Sequence, residues 1–166
     1  MKNNARAITH AALIAAVYAL LTVIFQPLSF GAVQLRIAEA LTLLPLITPA
    51  ATPGLFVGCL LANLLGGAVW YDILFGSVAT LLAALAARKL RGRPWIAAAM
   101  PALFNGLIIG PVVYFAYVRA PGAAVSWSVL LSSVGSVSLG EIVVCYVPGM
   151  LLVKLLRRLP EELMKL

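Results

Sequence analysis

Charge is scarce in this sequence. Only 10% of its 166 residues are Asp, Glu, Lys or Arg, where a soluble domain carries about a quarter, and the mean hydropathy of +1.07 excludes a water-soluble globule. Histidine is almost missing too. The single one, His10, lies at the start of the first apolar run, so neither a Ser-His hydrolase nor a histidine-based zinc site can be assembled. The two cysteines, Cys59 and Cys145, stand apart inside apolar runs, which argues against both a structural disulfide and a metal-ligand spacing. No G-x-x-x-x-G-K-[ST] run occurs, so ATP is not held through a P-loop. The net charge of +7 would suggest nucleic acid in a soluble protein. In a membrane chain, basic residues report orientation first. These absences predict a non-enzyme that needs no metal, no cofactor and no nucleic acid.

What the chain has instead is a succession of continuous runs rich in Leu and Ala. A helix needs ~20 mostly apolar residues to span a ~30 Å core, whereas a transmembrane barrel needs ~10-residue alternating segments, which are not seen. The expected fold is all-α integral membrane, a single transmembrane domain over residues 1–166. Six helices are expected at approximately 7–25, 33–48, 54–69, 72–88, 95–118 and 133–157. No small-residue cleavage site follows the first run at a suitable distance, so it is expected to stay as a membrane helix.

Orientation follows from the basic residues. Lys2 and Arg6 precede the first run, Arg88, Lys89, Arg91 and Arg93 follow the fourth, and Lys154, Arg157, Arg158 and Lys165 close the last. Placing these on the cytoplasmic side requires an even number of crossings between them and leaves only Arg36 and Arg119 outside, which gives N-in and C-in. The interval 37–69, broken by Pro45, Pro49, Pro53 and Gly54, supplies either two short helices or a re-entrant loop, since both satisfy the parity. The stretch 142–153 is only ~18 Å of helix. The last helix is therefore expected to begin near Ser133 and to carry Glu141 inside the membrane. Trp70, Tyr71, Tyr114, Tyr117 and Trp127 would mark the outer interface.

Glu141 is the most informative residue, because an ionisable group at membrane depth normally faces a cavity or a partner. It could bind substrate, or it could be neutralised by Arg36 or by serines such as Ser136 and Ser138. Glu39 has Arg36 three residues earlier and can pair with it. Asn63 and Asn105 are amides at membrane depth, where an interhelical hydrogen bond is the default. Asp72, beside Trp70 and Tyr71, reads most simply as interfacial. Ala11, Ala12, Ala15, Ala16 and Ala19 form small-residue stripes that let another helix approach closely, either one of this chain or one of a partner. Gly54/Gly58 and Gly106/Gly110 repeat that spacing and suit packing inside the bundle. With an outward polar cavity, a small-residue surface and no engine, the chain reads as a substrate-capture subunit that depends on an energised partner.

The stretch from Gly31 through Arg36-Ile-Ala-Glu39-Ala-Leu-Thr to Pro53-Gly54, then Asn63-Leu-Leu-Gly-Gly, Asp72-Ile-Leu-Phe-Gly, Asn105-Gly and Gly140-Glu141, resembles the QueT family over nearly the whole chain. These are substrate-binding S components of energy-coupling-factor (ECF) vitamin transporters, assigned to queuosine precursors. The alanine stripe is similar to the helix-one motif by which S components dock on the coupling subunit. The resemblance implies a multi-pass plasma-membrane subunit. It would bind a small molecule outside and work with a transmembrane coupling subunit and two ATPase subunits.

A 7-deazaguanine base presents N1-H and an exocyclic amine as adjacent donors and a carbonyl O6 as acceptor. Glu141 could take the donor edge, Asn105 or Arg36 could serve O6, and Glu39 could hold the ammonium of an aminomethyl base. Trp70, Tyr71 or Tyr114 could stack on the ring at ~1 to 3 kcal/mol. Other readings remain open. They are a proton-coupled secondary transporter using Glu141, an intramembrane enzyme using the serines near Glu141, or an S component for another vitamin-like substrate.

Overall fold

The computed structural model describes residues 2–30 and 35–158. The start of the expected 33–48 helix, the Gly31 to Gln34 part of the motif, and Lys165 lie outside the described residues. Among the described residues the chain is helical, with no strand. Helix α1 (Lys2–Ile24) leads through a short turn at Gln26–Ser29 to a 3₁₀ helix (Ile37–Leu46). Then follow α2 (Ala51–Leu65), α3 (Trp70–Lys89), α4 (Pro94–Val118) and α5 (Trp127–Leu156). Four stretches are long and apolar enough to cross a membrane: Ala5–Ile24, Trp70–Lys89, Pro94–Val118 and Trp127–Leu156. The 3₁₀ helix and α2 are shorter.

Small residues decide how these helices approach. A Cβ on Gly54 would lie 2.6 Å from the carbonyl oxygen of Ala11, and one on Gly58 would lie 2.9 Å from Cα of Ala15. α1 and α2 therefore touch backbone to backbone, as lipid-embedded helices do where bulk is removed. Gly110 does the same for α4 against Val134 of α5, where an added Cβ would lie 2.6 Å from Cα of Val134.

The 3₁₀ helix is the unusual element. Such helices seldom exceed three or four residues, yet this one has ten, and every residue from Ala38 to Leu46 is buried. Irregular backbone at membrane depth is tolerated only where protein covers it, and here α1, α2, α3 and α5 all pack against it. Gly149 of α5 makes room, since a Cβ there would sit 3.2 Å from the carbonyl of Ala40. Arg88, in the last turn of α3, donates to the carbonyl of Pro45 at 3.0 Å and satisfies one of the carbonyls left over at the helix end.

α5 begins at Trp127, six residues before the position expected from charge spacing, and its N-cap residue Ser126 is tied to α4. The backbone N–H of Ser126 donates to the Tyr114 hydroxyl at 2.7 Å. Further along, the helix widens into a π turn at Cys145–Gly149. Pro148 lies inside that turn and has no N–H to continue the i→i−4 ladder.

Candidate functional site

The 3₁₀ helix carries Arg36 at its N-terminal boundary and Glu39 in its first turn, and both are buried. Arg36 and Glu39 look to different partners. Arg36 Nη1 donates to Cys59 Sγ of α2 at 3.5 Å, and its guanidinium lies 5.3 Å from the ring centroid of Phe30. Glu39 Oε1 instead accepts the hydroxyl of Tyr18 from α1 and, at 3.2 Å, that of Thr80 from α3. Asn63 Nδ2 reaches Cys59 Sγ at 3.6 Å and the carbonyl of Asp72 at 3.3 Å.

On the other side of the cluster, Asn105 Nδ2 of α4 donates to Glu141 Oε1 of α5 at 2.7 Å. Cys145, one turn after Glu141, bridges the Glu141 carboxyl and the backbone of the 3₁₀ helix. Its thiol donates to the carbonyl of Glu39 at 3.6 Å and stands 3.9 Å from Glu141 Oε2. Five helices and the 3₁₀ segment thus converge on one polar tier that holds Arg36, Glu39, Asn105 and Glu141 together. Those four were all sequence candidates.

Several polar atoms in this tier have no hydrogen-bond partner: Arg36 Nε and Nη2, Glu39 Oε2 and Asn63 Oδ1. Leaving such a group buried and unpaired costs ~1–3 kcal/mol, and more when it is charged. Donors and acceptors are thus available side by side in a dehydrated place. The carboxyl groups of Glu39 and Glu141, and that of Asp72 beyond them, all act on the one guanidinium of Arg36, so acid exceeds base here.

The aromatic candidates stand elsewhere. Trp70 is 71% exposed and makes an edge-to-face contact with Tyr71, which is half-buried. Tyr71 precedes Thr80 by nine residues, and Tyr114 follows Asn105 by nine, so each lies ~14 Å along its helix from the polar tier. Tyr114 is buried, with its hydroxyl on Ser126 and its ring edge-on to Phe115. Asp72 belongs to this second tier. Rather than facing the interface, it is fully buried and accepts the Tyr117 hydroxyl at 3.3 Å.

The alanine stripe divides between two faces. Ala15 and Ala19 are buried, Ala15 against Gly58 of α2, while Ala12 and Ala16 are exposed and Ala11 lies between. Sequence reasoning missed Tyr18, Thr80 and both cysteines as members of the polar tier. Tyr18 left a readable signal: it is a tyrosine in the middle of an apolar run, away from the interfacial positions of Tyr71, Tyr114 and Tyr117.

Four helices long and apolar enough to cross a bilayer, closed around a buried polar tier, define a helical membrane protein. Its family can be stated. Residues 8–158 match the family model described as QueT transporter, and the chain belongs to that family. It is therefore a membrane transport protein of the S-component kind and not an enzyme. No curated protein and no solved structure matches the chain.

Proposed function

We propose that the chain is the substrate-binding S component of an ECF importer in the plasma membrane, and that it captures a 7-deazaguanine precursor of queuosine outside the cell. A transmembrane coupling subunit and two ATPase subunits complete the machine, since the sequence carries no P-loop run of its own. Six crossings with both termini inside fit the charge distribution, with the 3₁₀ helix and α2 as a short hairpin drawn into the bundle.

One observation carries the reading: the unpartnered atoms of Arg36, Glu39 and Asn63 beside the Asn105–Glu141 pair. A deazaguanine supplies what they lack. Its adjacent N1-H and amine suit a carboxylate, and its O6 suits the free Arg36 nitrogens or the Asn105 amide. The excess acid favours a base that brings an ammonium, which assigns Glu39 to the aminomethyl group and Glu141 to the ring edge. Trp70, Tyr71 and Tyr114, on the outer side of the tier, stand where the base would enter rather than against its ring. Ala12 and Ala16, with Ala11 at the edge, form the part of the stripe that meets the coupling subunit. Ala15 and Ala19 hold α1 to α2 behind it.

Co-purification with the coupling subunit and ATPases, followed by extraction and weighing of the bound molecule, tests this reading. The expected outcome is a 7-deazaguanine mass and uptake that requires ATP hydrolysis. Uptake by the isolated chain in proteoliposomes, driven by a proton gradient alone, would make it a secondary transporter instead.

A further inference from the structure

A groove of about 700 Å³ opens where the start of α4 meets the end of α5. Trp95, Val147 and Leu151 supply an apolar wall, and Lys154, Arg157 and Arg158 close one end. Positions 147, 151, 154 and 158 recur at helical spacing, so wall and charge lie on one continuous stripe. The stripe is open to the surroundings: Trp95 and Val147 are each 65% exposed, and the three basic side chains are exposed as well. Its shape is fixed by a cross-link between the two helices. The Tyr146 hydroxyl donates to the carbonyl of Trp95 at 2.7 Å, and the two rings lie 5.8 Å apart. Tyr146 and Val147 both belong to the π turn that contains Pro148, so the widening of α5 is what presents them.

No residue lining the groove is acidic. Within the described residues the acids are Glu39, Asp72 and Glu141, all buried in the bundle, so none of these three neutralises this basic end; Glu161 and Glu162 lie outside the described residues. A free anion would answer the charge and leave the wall bare. A neutral acyl chain would cover the wall and leave the charge. Only an amphiphile with an anionic head answers both, and basic pockets between membrane helices recognise lipid headgroups in this way.

We propose that this groove binds an anionic phospholipid, with its phosphate at Lys154, Arg157 and Arg158 and an acyl chain along Trp95, Val147 and Leu151. The site is separate from the polar tier and does not depend on which substrate is carried.

Trp95 reports occupancy directly. With Trp70→Phe and Trp127→Phe in place, it is the only tryptophan left. The protein is reconstituted in phosphatidylcholine vesicles containing a minor fraction of brominated phosphatidylglycerol or of brominated phosphatidylcholine, and quenching is compared. Each basic residue near an anionic lipid is worth roughly fivefold in binding, so phosphatidylglycerol is expected to be favoured at Trp95 by at least about that factor. Lys154→Gln/Arg157→Gln/Arg158→Gln is expected to abolish the preference. Val147→Phe, which leaves every charge in place and fills the wall, is expected to reduce it. Equal quenching by the two lipids overturns the proposal. So does a preference that the charge substitutions remove but Val147→Phe leaves intact, which would indicate diffuse surface charge. Loss of the preference when inorganic phosphate is added would mark the site as one for a soluble anion and would also overturn it.

Discussion

Asn105 and Glu141 meet at 2.7 Å across the contact between α4 and α5, and Gly106, next to that asparagine, faces Ser138 of α5. The hydrogen bond at membrane depth and the close helix packing therefore occur in the same layer. Replacing the amide removes the donor while the glycine contact persists. Asn105→Leu should therefore leave the bundle folded but the Glu141 carboxyl without its partner, which costs about 1–3 kcal/mol. A lowered unfolding midpoint in detergent, together with weakened deazaguanine binding, is the expected result.

The contact between α1 and α2 makes a second, purely structural prediction. A Cβ on Gly58 would lie 2.9 Å from both backbone atoms of Ala15 and side-chain Cβ of Tyr18. Gly58→Val should force the helices apart at a cost of about 1–3 kcal/mol, and it should draw the Tyr18 hydroxyl away from Glu39. Thermal unfolding of the purified variant checks the stability loss, and ligand titration checks the loss at the site.

Docking can be separated from packing along α1. Ala16→Trp changes an exposed position and is expected to abolish association with the coupling subunit while the solitary protein still binds substrate. Ala15→Trp enters the buried face against Gly58 and should weaken folding and substrate binding together. Pull-down with the coupling subunit and calorimetry on the solitary protein distinguish the two.

Much of this was legible in the sequence because lipid imposes few solutions. Continuous apolar runs gave a helical membrane protein, and Glu39, Glu141, Arg36 and Asn105 stood out as polar groups at depth. The length and spacing rules did less well where side chains override them. The 3₁₀ helix is invisible to an apolar-run count, since its stability comes from being covered on all sides. Asp72 reads as interfacial beside Trp70 but is turned inward on α3 towards Tyr117 and Asn63. The alanine stripe gives spacing without rotation, so only the Gly54 and Gly58 contacts tell which alanines face inward.

Topology can be tested by labelling. Cys59 and Cys145 are both fully buried, so their background reactivity should be low. A cysteine introduced beside Arg119 should react with an impermeant thiol reagent applied outside intact cells, and one beside Gly92 should not. The reverse pattern would place the Asp72 and Tyr117 tier inside and remove the entry route proposed for the substrate.

Glu39 should discriminate between ligands. Glu39→Gln keeps the shape and loses the charge, so it should weaken the aminomethyl base strongly and 7-cyano-7-deazaguanine little, since only the first brings a cation.

The most direct measurement is calorimetry on the detergent-purified, folded Glu141→Gln variant with both bases. The amide replaces one acceptor with a donor, and removing one partner of a dehydrated charge-assisted contact costs ~2 to 5 kcal/mol. Affinity for both bases should fall by at least about tenfold. Unchanged affinity for both would show that the Glu141 carboxyl serves only the packing of α4 against α5, and that the substrate is held elsewhere.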